Sequence, residues 1–265
     1  MNAQELQIKF DELLSITRES YDAFLSQSEL ALAAERPLML AVDEDNLDAE
    51  KFQMDRALFS AAPVVAVPIH SEFSPLRQNG HRFLLAEDGL YLEARRPWLH
   101  FIHRLAEHNT VRIPFGAVKP KVELAFGALG TALMEMQEFG AHAMVEAPTE
   151  AAASLIWNDE SRAWSIKYPE TIGAATASRI EYKQVELGER ESVAIDLHSH
   201  GNGPAFFSPT DDDDDRGAIK ISGVFGDLDQ PLPSVAFRLC VLGLYIPLKV
   251  PAEKIFGAHA PAVAA

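Results

Sequence analysis

The chain predicts a mixed α/β (α+β) fold: a largely antiparallel sheet with flanking helices, preceded by an α/β N-terminal region. Three observations carry this. From about residue 111 the order is an extended stretch, one long amphipathic segment, then a run of short alternating segments. The first hundred residues mix a helical pattern with short strands and one tight-turn signal. Of the 265 residues, 48% are hydrophobic, enough to bury a large core and too many for a disordered chain.

The elements follow in order. Residues 3–33 read as a helix, because Leu6, Phe10, Leu13, Leu14, Tyr21, Phe24 and Leu25 keep helical spacing between charged residues. Pro37 interrupts it, and "PLMLAV" and "APVVAVPI" read as short strands. "HRFLLAEDGLYLEA" predicts a hairpin, with Asp88-Gly89 as the tight turn. Pro97 suits the first turn of a helix running to about His108. "VRIPFGAVKPKVELAFG" is extended. The next helix has an apolar face of Leu129, Leu133, Met136, Phe139 and Ala143, and Pro148 closes it. "EAAASLIWN", "AWSIKY", "SRIEYKQVEL", "SVAIDLHSH", "AIKISGVFG" and "RLCVLGLYIPLKV" are the expected strands, and "GAHAPAVAA" is expected to fray. The division expected is an accessory region over 1–112 (helix, short strands, hairpin, helix), a main domain over 113–252, and a flexible tail over 253–265.

Composition narrows the function. A formal net charge of −16 disfavours nucleic acid and anionic membranes, whose phosphates would repel the chain. The single cysteine, Cys240, sits in an apolar run, so neither an intramolecular disulfide nor a Cys-rich zinc ribbon can form. No apolar run approaches the ~20 residues of a membrane span, and "MNAQELQIKF" lacks a signal peptide's apolar stretch, so a cytoplasmic protein is expected. His70, His81, His100, His103 and His108 have no carboxylate or cysteine at matching spacing. They read as surface or half-buried histidines.

The chemistry concentrates in "DLHSHGNGPAFFSPTDDDDDRG". His198 and His200 end an apolar strand, and residues i and i+2 of a strand face one side. Gly201, Gly203 and Pro204 suit a tight loop that can return a carboxylate to the two imidazoles. Two neutral imidazoles and a carboxylate make a normal three-ligand set for catalytic zinc, with a fourth position left for water. Taken as an isolated His-x-His, the same residues fit a solvated acidic loop.

The full string, His-Ser-His, seven residues, Ser, two residues, Asp, resembles the signature of the JAMM (MPN-plus, JAB) metalloprotease family. The resemblance implies a JAMM/cytidine-deaminase-like domain over about 115–250, with one Zn2+ per chain held by His198, His200 and Asp211. Ser208 matches the family's oxyanion-stabilising serine. Glu150, after the helix and the proline turn, matches the glutamate that holds the attacking water; Glu146, at the helix end, is its nearest rival. The sequence departs from the pattern at Gly201, where the family has proline, and at Ala153 and Trp157, where it has glycines. It also departs after Asp211, where "DDDDRG" leads quickly to a strand instead of a long helix. One of Asp212–Asp215 is an alternative ligand to Asp211; otherwise the run reads as solvated.

"RPWLHFIHRLA", "VRIPFGAVKPKV" and the acidic form of the motif are similar to a component of the PRTRC system of bacterial plasmids and integrating elements. That similarity implies a ubiquitin-like protein or its conjugate as substrate, and a ThiF-like adenylating enzyme as a neighbour. The expected activity is therefore zinc-dependent cleavage after the C-terminus of a ubiquitin-like protein. The alternative is a non-catalytic scaffold of the same fold that binds such a partner. An amidohydrolase barrel is excluded because only 65 residues follow His200, and a zinc deaminase because its site needs further cysteines.

Overall fold

The structure, a computed structural model, describes residues 3–35, 57, 61–169 and 185–257. The chain divides into two compact units, Met1–Pro63 and Val64–Ala265. Within the first, helix α1 spans Ala3–Glu35, matching the sequence expectation, and exposes Phe10, Leu13, Leu14 and Tyr21. The strand expected at "PLMLAV", most of "SRIEYKQVEL" and residues 258–265 of the expected tail lie outside the described residues; the start of that tail, 253–256, is helical with Ile255 and Phe256 buried, not loose.

The second unit holds two sheets. The first is formed by β1 (Val64–Ala66), β2 (Gly80–Ala86), β3 (Gly89–Arg96), β4 (Leu99–Glu107) and β5 (Lys121–Leu124), paired in that order. The second contains β6 (Ala152–Asn158), β7 (Ala163–Lys167), β8 (Glu191–Ser199), β9 (Ile219–Gly226), β10 (Ser234–Val241) and β11 (Leu244–Leu248). Its spatial order is β11-β10-β9-β8-β6-β7. All pairs are antiparallel except β1/β2 and β8/β9, so the fold is the α+β arrangement with mostly antiparallel sheets. Leu92, Ala94, Trp98, Leu99 and Phe101 of the first sheet and its turn share one core with Leu155, Leu197, Ile221 and Leu239 of the second. Among the described residues no helix is long and apolar enough to cross a membrane.

Two expectations need correction. Residues 97–108 are not a helix: Pro97-Trp98 is the turn of a second hairpin, and Leu99–Glu107 is β4, between β3 and β5. Leu99, His100, Phe101 and Ile102 are all buried, so the first half of this strand is covered on both faces. Its apolar residues then lose the two-residue alternation that marks a strand. The first hairpin forms as expected, but its turn is Glu87-Asp88, with Ala86 opposite Gly89. Gly89 is required for space, since a Cβ there would lie 2.0 Å from the Ala106 carbonyl oxygen.

The long helix is as predicted. A 3-10 turn, Leu129–Ala132, leads into α2 (Leu133–Glu146), which buries Met136, Phe139 and Ala143. Phe139 meets Phe225 of β9 edge-on at 4.9 Å. Truncating it to alanine should cost about 3–5 kcal/mol through lost burial and a cavity. A short C-terminal helix, α4 (Ala252–Phe256), packs Phe256 on the same Phe225. The segment "RLCVLGLYIPLKV" is two strands, β10 and β11, folded back at Leu242-Gly243. After α2 the chain turns through Ala147–Thr149 and enters β6, which brings Glu150 to the end of β8.

Candidate metal centre

The site is assembled at the C-terminal end of β8. His198 pairs with Ala152 of antiparallel β6 and with Val224 of parallel β9, so the strand is held on both sides up to the first histidine. The backbone beyond it is held too: Ser199 N–H donates to the Ala151 carbonyl and His200 N–H to the Phe225 carbonyl. The chain then turns at Gly201, whose φ is +55° and where a Cβ would lie 2.4 Å from the Pro148 carbonyl oxygen. A proline would be excluded there by φ alone. The same contact seats the His loop against the turn that leads to Glu150.

Ser208 and Asp211 arrive on α3 (Pro209–Asp215). Ser208 is the N-cap of this helix in a reciprocal capping box. The Asp211 N–H donates to Ser208 Oγ at 3.3 Å. Ser208 N–H and its hydroxyl donate to Asp211 Oδ2 at 2.6 and 2.7 Å. That fixes one carboxylate oxygen and leaves the other, Oδ1, 3.3 Å from His198 Nε2. His198 Nε2 and His200 Nε2 are 3.3 Å apart.

The donor set fits a metal ion. His198, His200 and Asp211 each offer one ligand atom, all within 4.8 Å of one another. His200 Nδ1 lies 3.0 Å from the Pro204 carbonyl, so Nδ1 carries the proton and donates it, leaving a lone pair on Nε2. Burial lowers the His198 pKa, and His200 and Lys220 add to this, against opposing pulls from Asp211 and Asp215. A neutral imidazole is the form a metal requires. The two Nε2 atoms lie 3.3 Å apart and Asp211 Oδ1 lies 3.3 Å from the first, a spacing at which all three could hold one cation.

Glu150 precedes β6. Continuing the β6/β8 register by two residues sets it opposite His200, and Ala151 N–H is fixed to Ser199 Oγ at 2.9 Å. Its carboxyl is half-buried. Burial raises its pKa, with Asp211 adding to the rise and His200 opposing it. Glu146 is exposed at the end of α2, four residues back. The five residues the sequence picked out thus meet in one place, with the Ser208 hydroxyl bonded to Asp211 instead of pointing free.

Of the five N-terminal histidines expected at the surface or half-buried, His100 departs from the expectation. His100 is buried on β4, 3.0 Å from Glu93. Among the described residues, His198, His200 and Asp211 form the one group of three such side chains that could hold an ion. Sequence reasoning missed the support beneath it. Asp215 is buried, and Asp212 and Asp215 turn inward to Arg238, with Lys220 also on Asp215. The available signal was a lone cation in each of two apolar strands, "AIKISGVFG" and "SVAFRLCV".

Comparison with family models gives two matches. Residues 52–125 match a domain of unknown function (DUF2016), and residues 135–240 match the prokaryotic homologs of the JAB domain. The second match contains Glu150, His198, His200, Ser208 and Asp211. Comparison with curated proteins finds no match.

Proposed function

From the match of residues 135–240 to prokaryotic homologs of the JAB domain, we propose that the chain is a zinc-dependent peptidase or isopeptidase. It would take one zinc per chain on His198, His200 and Asp211. The observation that carries this reading is the convergence of the three ligand atoms beside a half-buried carboxylate, Glu150, that is not itself a ligand.

Bound there, zinc would supply a Lewis acid and lower the pKa of water to about 7. The chain's own residues do the rest. Glu150 accepts the proton of the attacking water and delivers it to the leaving amine; its raised pKa suits it to both halves of that task. Ser208 donates its hydroxyl to the substrate oxygen as negative charge develops, which requires the hydroxyl to rotate away from Asp211 Oδ2. The N–H of Ser208 keeps that oxygen bound meanwhile. His200 holds its orientation through Pro204.

The substrate in this reading is the C-terminal tail of a ubiquitin-like protein or its conjugate, within the PRTRC system and beside a ThiF-like adenylating enzyme. The JAB match and the similarity of "RPWLHFIHRLA" and "HSHGNGPAFFSPTDDDDD" support it. One observation favours the scaffold alternative: the Ser208 hydroxyl is committed to a helix cap. The deciding experiment is cleavage of a ubiquitin-like fusion by the zinc-loaded protein, beside Glu150→Gln. Turnover lost in the variant with zinc retained supports the enzyme; a wild type with zinc and no turnover on any ubiquitin-like fusion supports the scaffold.

A further inference from the structure

Helix α3 carries Asp211 but has little to hold it in place. It is seven residues long, and Asp215 is its one buried side chain. A helix of under two turns has no stability of its own, and this one has no apolar face to bury. Its anchorage is polar and converges on one guanidinium. Arg238 of β10 donates from Nη1 to Asp212, and from Nε and Nη2 to Asp215 at 3.2 and 2.7 Å. The same guanidinium is stacked between Phe207 at 3.9 Å and Tyr245 at 4.1 Å. Phe207 immediately precedes the N-cap. The stretch Phe207–Asp215 is therefore pinned to one group at both ends, with Ser208 and Asp211 between the pins.

Further contacts continue the lacing. Tyr245 O–H donates to the Asp212 carbonyl at 2.5 Å. Lys220 of β9 bridges Asp215 and Asp196 of β8, each at 2.9 Å, and Asp196 accepts from Ser154 of β6 at 2.8 Å. Asp211 and Asp215 are four residues apart and so share a helix face; displacing one displaces the other. Metal–ligand distances tolerate only about 0.2 Å.

We propose that Arg238 and Asp215 are positioning residues for the metal centre: they fix the short helix that presents Asp211, and so set the affinity and coordination geometry of the bound ion. This rests on the reading that His198, His200 and Asp211 hold zinc. Arg238→Met keeps an apolar stem between the two rings and removes the fork; Arg238→Lys keeps the charge and loses the planar, multidentate geometry. Ser154→Ala removes a hydrogen bond of the same network at its far end.

The test is zinc affinity by chelator competition and the visible spectrum of the Co2+ form, with circular dichroism of the metal-free proteins. Arg238→Met should fold and bind zinc about 10–100-fold more weakly, with an altered Co2+ spectrum. Arg238→Lys should fall between it and wild type, and Ser154→Ala should stay within about twofold of wild type. A folded Arg238→Met with wild-type affinity and spectrum overturns the proposal and leaves the metal site standing. A wild type that takes up no zinc overturns both. Should Arg238→Met not fold, Asp215→Asn decides in its place: weakened zinc supports the proposal, and unchanged zinc overturns it.

Discussion

Two histidine–carboxylate clusters occupy the same unit, and they differ in what their oxygens have left to offer. In the first sheet, Glu93 is fully buried and spends both oxygens. Oε2 accepts from Arg82 Nε at 2.6 Å; Oε1 accepts from Leu76 N–H at 2.8 Å and lies 3.0 Å from His100 Nε2. At the end of β8, Asp211 spends Oδ2 on the Ser208 cap and turns Oδ1 toward His198, while two imidazole Nε2 atoms face each other. Saturation makes the first cluster a fastening for the loop before β2. At the second, three donor atoms from three residues lie within 4.8 Å of one another and could hold a cation. Residue types alone do not separate the two; that convergence does.

The comparison can be broken or sharpened by substitution. The largest effect is expected at Glu150. Glu150→Gln should keep zinc and fold and lower turnover by about 10²–10⁴-fold, read by steady-state kinetics beside metal analysis. Wild-type rates there, with Glu146→Gln inactive, would move the base to Glu146. Next comes Ser208→Ala. It should lower kcat by about 10²–10³-fold with KM and zinc content held, and lose about 1 kcal/mol of stability with the cap. Normal kcat with weakened zinc would make Ser208 a structural residue alone.

At the saturated cluster the signature reverses. His100→Ala should leave zinc content and kcat unchanged and cost about 1–3 kcal/mol in a denaturant melt, because Glu93 loses one buried partner. A change in zinc content would show that the two clusters are coupled. The smallest effect is in acid. Burial by itself would raise the Asp215 pKa, but Lys220 and Arg238 outweigh it and hold the carboxyl below its usual range. A depressed folded pKa means that its contribution is present above the unfolded value, about 3.9, and is lost as pH falls through the lower folded one. Below about pH 4, stability should therefore fall less steeply in Asp215→Asn than in wild type; parallel curves would refute this.

How much was legible follows the same division between local and distant causes. Strands β6, β8 and β9 and the buried face of α2 could be read because each has one periodic pattern set by its own residues. The grouping of His198, His200 and Asp211 could be read because the two histidines are neighbours and the loop back to Asp211 is short. Strand β4 was misread because its first half is buried on both faces, so Leu99, Phe101 and Ile102 show no two-residue alternation, and because Pro97 suits a helix start as well as a turn. The aspartate run was misread for a different reason. Asp212 and Asp215 are inward-facing because Arg238 lies 23 residues beyond Asp215, and only the pairing of Arg238 with Ser222 across β10 and β9 brings it under α3. Nothing local to "DDDDD" announces a partner that arrives through the sheet.

The central claim is that the unsaturated cluster binds the ion and the saturated one does not. Zinc per chain, measured on the purified protein and on the His198→Ala/His200→Ala variant beside His100→Ala, tests it most directly. The account predicts about one zinc in wild type and in His100→Ala, and none in the double variant. Full zinc in the double variant, or its loss in a folded His100→Ala, would contradict it.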